Sequence, residues 1–252
     1  MLLIKGAKVG IPDGGLRISM DGQGRPHASI SMHMAVDVTP IWLDIAVSRA
    51  IASESRREEV LARATGADAD GLTSAMEGQV AETMQCVLAA AVAIEAFYGV
   101  VSRDFKIPTD LVAKWRHRRT ARERQIAEVL RRAFRLPPAD VKMIQTGLKE
   151  LFRYRNMAVH PPARLQPPVW YDALQVPTEW RFGTFCFANA RVLCQFALAT
   201  VAQLVRVPVE AGQLKDSLES LQPRVVPIVA RWEAKYGKLL VLPGQAASAP
   251  AS

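Results

Sequence analysis

Apolar residues fall at every second position twice near the start of the chain. Ala28, Ile30, Met32, Met34 and Val36 alternate with mostly polar neighbours, and Leu16, Ile18 and Met20 do the same. A period of two marks a strand with one apolar face, expected to be half-buried. The segment DGQGRP between the two runs has the composition of a turn. LLIKGAKVGI supplies a third strand. Residues 1–38 are therefore expected to form a small β hairpin or meander.

From Thr39 the period lengthens to that of helices. Thr39 and Pro40 suit an N-cap and a first helical position. The pattern predicts helices at about 39–66, 73–103, 113–135, 139–158 and 184–205. The segments GADADG, KIPTD and LPPAD separate the first four. Residues 161–182 look irregular. Residues 39–72 thus connect to a helical core at 73–206. A C-terminal helical segment follows at 207–242, expected to be interrupted by Pro223 and Pro227. Residues 243–252 have the composition of a loose tail. The fold class is mainly α with a small N-terminal β element, and no internal repeat stands out.

Composition narrows the classes. Half of the 252 residues are hydrophobic and 22% are charged, which suits a globular chain. Lys and Arg exceed Asp and Glu by 32 to 24, a formal charge of +8 that favours polyanionic partners. The three cysteines form no C-x-x-C pair, which fits a reducing cytoplasm. The N-terminus lacks a long apolar run with a cleavage site, so no signal peptide is expected. The most apolar runs carry Glu95 or Arg191 in their middles, which argues against membrane spans.

The helix expected at 139–158 carries the candidate chemistry. Val141, Ile144, Leu148, Leu151, Phe152 and Val159 gather on one side, and Lys142, Lys149, Glu150 and Arg153 on the other. Arg155 falls near the middle of the apolar side and Asn156 at its edge. A charge there needs a partner, a cleft or a second subunit. On a continuing helix His160 would point about 140° away from Arg155. Pro161 disfavours the helical conformation at the residue before it, so the helix should end at or before His160 and free the imidazole. The helix C-terminus favours the protonated ring.

R-N-x-x-x-H, present as Arg155, Asn156 and His160, resembles the signature of the HEPN superfamily, named for higher eukaryotes and prokaryotes and for nucleotide binding. The apolar helix AAAVAIEAFYGVV resembles the family's first core helix, which often carries an acidic residue, here Glu95. The helix after the motif matches the expected fourth. The resemblance covers roughly Thr73 to Val205 and leaves out the N-terminal strands. It implies a helical bundle that dimerises, with two motifs facing each other across one cleft. It further implies a metal-independent endoribonuclease that needs no cofactor, as a toxin or defence component, with RNA as substrate and an antitoxin or regulatory partner. His160 would be base or acid, Arg155 would hold the phosphate, and Asn156 would bond the phosphate or orient the histidine.

Plainer readings stand beside this one. His160 suits a helix-capping role. Glu95 suits either an orienting carboxylate for Arg155 or a structural pair with Arg191. The run KWRHRRTARERQ, with Arg131, Arg132 and Arg135, suits an RNA path through Arg118, Arg119 and Arg122, or a solvated face eased by Glu123 and Glu128. The three cysteines suit core positions, with Cys186 and Cys194 in an apolar helix. His27 and His33 lack ligand spacing for a metal. No P-loop, dinucleotide fingerprint or nucleophile elbow is present. A silent RNA- or nucleotide-binding module and a helical dimerisation scaffold are the rivals to the nuclease.

Overall fold

The structure is a computed structural model that describes residues 7–66, 68–160 and 164–240. It divides into two compact units, Met1–Val38 and Thr39–Ser252. The expected tail at 243–252 lies outside the described residues.

The first unit is a long hairpin. Strands β1 (Ala7–Gly10) and β2 (Leu16–Met20) lie in one arm, β3 (Pro26–Ile30) and β4 (His33–Val36) in the other. β2 pairs with β3 and β1 with β4, both antiparallel. The single strand expected over 28–36 is thus broken between Ile30 and His33. Asp21 closes the turn, its Oδ1 accepting from the backbone amides of Gln23 and Arg25 at 2.8 Å. The alternation is real: Leu16 faces Ile30 and Ile18 faces Ala28. The half-burial is not. Ile18 is 72% exposed and Met20 69%. A two-stranded ribbon has no second layer to cover its apolar face.

The second unit is mainly helical. Its helices are α1 (Thr39–Arg63), α2 (Ala69–Phe105), α3 (Thr109–His117), α4 (Arg122–Phe134), α5 (Pro138–Val159), α6 (Trp180–Thr184), α7 (Phe187–Leu204) and α8 (Gln213–Tyr236). A short hairpin, β5 (Val169–Tyr171) with β6 (Val176–Thr178), occupies the stretch expected to be irregular.

α2 is the axis of the bundle, packed by α1, α4, α5, α6, α7 and α8. By length and composition it could cross a membrane. Here Val87, Ala90, Ile94, Phe97 and Val101 are buried against the other helices. α1 is part of this core and more than a connector. Its Leu43, Ala46, Val47 and Ala50 form a buried stripe at helical spacing. Ser53 Oγ meets Thr83 Oγ1 at 2.8 Å inside the α1–α2 seam.

Two expectations about helix ends change. The basic helix foreseen at 113–135 is two helices, α3 and α4, joined at Arg118–Ala121. Residues 116–125 offer no apolar side chain beyond Ala121, so nothing holds a continuous helix to the core there. Conversely α8 runs unbroken through Pro223 and Pro227. Both prolines are exposed, while Leu221, Val225, Ile228 and Trp232 are buried. The carbonyls they leave unbonded belong to Glu219 and Pro223, both exposed residues, and the buried face carries the helix through.

Candidate functional site

α5 begins where sequence chemistry asks. Arg135 ends α4 in a left-handed conformation with φ 51°, and Pro138 stands in the first turn of α5. Ile144, Leu148, Leu151 and Phe152 point into the core. Val159, expected on the same stripe, is 48% exposed, because the last turn of α5 runs past the core. α5 approaches α7 closely at Gly147. A Cβ there would lie 2.2 Å from Phe196 Cε2.

Arg155 lies at the edge of the packed face, its side chain 37% exposed. One guanidinium nitrogen is 4.0 Å from Glu95 Oε1 on α2. Another donates to Asn156 Oδ1 at 3.0 Å. The arginine therefore has an acidic partner and an outlook to solvent at once. With the Asn156 oxygen engaged, its amide nitrogen remains as a donor on an exposed side chain. Glu95 pairs with Arg155 and not with Arg191, whose guanidinium lies over the Tyr236 ring at 5.4 Å.

His160 is the C-cap of α5, with φ −127° and ψ 75°. That conformation has left the helical region, as the steric effect of a following proline requires. Its amide still closes the final turn on the Asn156 carbonyl at 2.7 Å, and the residue is exposed. The link between Asn156 and His160 is thus through the main chain. Pro161 and Pro162 themselves lie outside the described residues.

The basic run is a corner, not a helix face. Arg118 caps α3, Arg119 sits in the left-handed region with φ 48°, and Arg122 opens α4. A cavity of about 560 Å³ lies in the bend. Lys114, Trp115, Arg118, Arg119 and Arg124 line it, with no acidic side chain among its walls. Arg131 and Arg132 share Glu128, and Arg135 pairs with Glu210, so most of the charge at this end of the run is answered locally. Arg122 stacks over Tyr98, 4.3 Å from the ring centroid.

In the sequence Tyr98 looks like one more apolar position on α2. It stands one turn beyond Glu95 on α2, so one face of α2 receives both Arg155 and Arg122. An aromatic three residues after a half-buried carboxylate was the available signal.

Cys86 and Cys194 are buried free thiols, and burial pushes the Cys194 thiol up. Cys186 departs from expectation. It precedes α7 as its N-cap and is only half-buried. Among the described residues no three His, Cys, Asp or Glu side chains gather as metal ligands would. Comparison with known proteins adds no identity: no family model, curated protein or solved structure matches the chain.

Proposed function

We propose that the protein is a metal-independent endoribonuclease of HEPN type, acting as a homodimer. The observation that carries the reading is the half-exposed Arg155, held by Glu95 and Asn156, with His160 released from the helix one turn beyond Asn156. A phosphate binder needs a fixed cation with an open side, and a proton carrier near neutral pH needs an accessible imidazole.

The chemistry uses the RNA's own 2′-hydroxyl. His160 takes its proton as the oxygen attacks phosphorus. Arg155 and the Asn156 amide stabilise the charge on the phosphoryl oxygens. The P–O5′ bond breaks, and the leaving oxygen takes a proton from an imidazolium or from water. The products are a 2′,3′-cyclic phosphate and a 5′-hydroxyl. The second copy of the motif, brought across a two-fold axis, completes the cleft. The basic corner at Lys114–Arg124 supplies an electrostatic path for the strand.

The test is purified protein with mixed RNA in EDTA, beside a folded His160→Ala control. Cleavage by the wild type alone supports the reading. Equal cleavage by both proteins refutes the assignment of His160. Salt-sensitive binding without cleavage leaves an RNA-binding module, and neither activity leaves a scaffold. A monomer by sedimentation at micromolar concentration counts against the shared cleft.

A further inference from the structure

A second cavity, of about 160 Å³, shares no lining residue with the Arg155 motif and is walled in part by the β5–β6 hairpin. Gln79 of α2 lines it and is 2% exposed. Its Oε1 accepts from the Tyr171 hydroxyl, while its Nε2 has no partner. Burial pushes the Tyr171 phenol up to about 12, so the group stays a neutral hydroxyl. With its oxygen on Tyr171, the Gln79 amide leaves its nitrogen unpaired inside the protein. Buried donors are rarely left so, and each such group calls for an explanation.

Two further walls also offer donors. Arg57 of α1 lines the cavity and has no ion-pair partner among the described residues. Cys186, Phe187 and Ala188 are the N-cap and first two residues of the 18-residue helix α7. No side chain caps that end, so its leading amides and positive dipole end are unclaimed. Asp172 is the one acidic residue at the cavity, and it is exposed. One cation with neutral donors suits a single negative charge better than a double one. Trp170 and Phe187 add flat apolar wall. The volume is well under the roughly 300 Å³ at which drug-sized ligand sites begin. Gly183 lets the hairpin seat over the site, since a Cβ there would lie 2.4 Å from Val169 Cγ2.

We propose that this cavity binds a small monocarboxylate with a flat apolar body, its carboxylate facing Arg57, the Gln79 amide nitrogen and the start of α7. The site is independent of the nuclease reading and stands or falls without it.

Calorimetric titration of the full chain with sodium benzoate tests this, with inorganic phosphate as the second arm. One benzoate site per chain is expected, with phosphate weaker or unbound. Arg57→Gln, at a half-buried position, should fold and weaken benzoate by about tenfold or more, the loss of one charge-assisted contact. Gln79→Glu keeps the acceptor for Tyr171 and puts an anion where the donor was, so it should abolish binding. If Gln79→Glu fails to fold, Arg57→Gln decides alone. Absence of benzoate binding to folded wild type at millimolar concentration overturns the proposal. So does unchanged affinity in Arg57→Gln, and so does phosphate binding more tightly than benzoate.

Discussion

Arg122 lies over the Tyr98 ring at 4.3 Å, one turn of α2 from the carboxylate that meets Arg155. This stacking separates Arg122 from its neighbours in the basic run. Arg118 and Arg119 line the open basic cavity and have no acidic partner among the described residues. They are the better candidates for phosphate contacts. Replacing both with Ala should weaken RNA binding and lower the salt slope by about two, roughly one per lost contact. Arg122→Ala should change the slope less and cost about 0.5–1 kcal/mol of stability through the lost stacking. Equal slopes for wild type and the double variant would return the corner to a solvated surface.

Glu128 sets an acid limit on the same segment. The hydrogen bond from Arg131 holds its carboxyl down at about 2, aided by Arg132 and opposed by burial. A depressed folded pKa stabilises the fold above an ordinary glutamate's 4.5. That stabilisation is lost as pH falls from there toward about 2. Urea midpoints should therefore decline in this window for wild type and decline less for Glu128→Gln. Parallel declines would show that other carboxylates govern acid unfolding.

How much of this was legible in the sequence depends on what each pattern encodes. Hydrophobic period places α1, α5 and α7 well, because a buried stripe is a local property. The release of His160 was legible from Pro161, a local steric effect. The split between α3 and α4 is not encoded in the charge of the run; the missing apolar anchors between Trp115 and Ile126 decide it. Pro223 and Pro227 were over-read, since a proline disrupts a helix least where its unbonded carbonyl meets water. The exposed face of the N-terminal hairpin shows the same limit from the other side. Alternation says that a strand has an apolar face, not what covers it. The pairing of Glu95 with Arg155 was one of two readings, and choosing between them needed the crossing of α2 and α5.

The approach of α5 to α7 brings a second tight constraint. Ala at position 147 would meet the Phe196 ring, with three ring carbons within 2.5 Å of its Cβ. Helix propensity favours Gly147→Ala by about 1 kcal/mol. A Cβ this close to the ring puts the opposing overpacking cost in the upper part of its usual range, about 2–3 kcal/mol. The clash should win, with a net loss of about 1–2 kcal/mol and a Tm lower by at least about 2 °C. Phe196→Ala in the same chain should remove the clash and make Gly147→Ala neutral or stabilising. An unchanged Tm in the single variant would mean that Phe196 swings clear.

The Glu95–Arg155 pair separates charge from aim. Both side chains are about one-third exposed, so the pair should contribute no more than about 1 kcal/mol to stability. Glu95→Gln should therefore fold normally. It removes the carboxylate that draws Arg155 toward α2 but leaves the guanidinium charge in place. Under the nuclease reading its RNA affinity should hold or rise, because a negative charge has left the site, while cleavage falls as Arg155 loses its anchor. Arg155→Lys keeps the charge and loses the planar fork that bonds a carboxylate or phosphate with two parallel donors. It should bind RNA nearly as well as wild type and cleave far more slowly, approaching the roughly 10²–10³-fold loss typical of a missing oxyanion donor. Single-turnover cleavage alongside equilibrium binding for both variants reads the two effects separately. If binding and cleavage fall together in Arg155→Lys, Arg155 serves general RNA attraction. If Glu95→Gln cuts as fast as wild type, Asn156 alone suffices to hold Arg155, and Glu95 returns to a structural role.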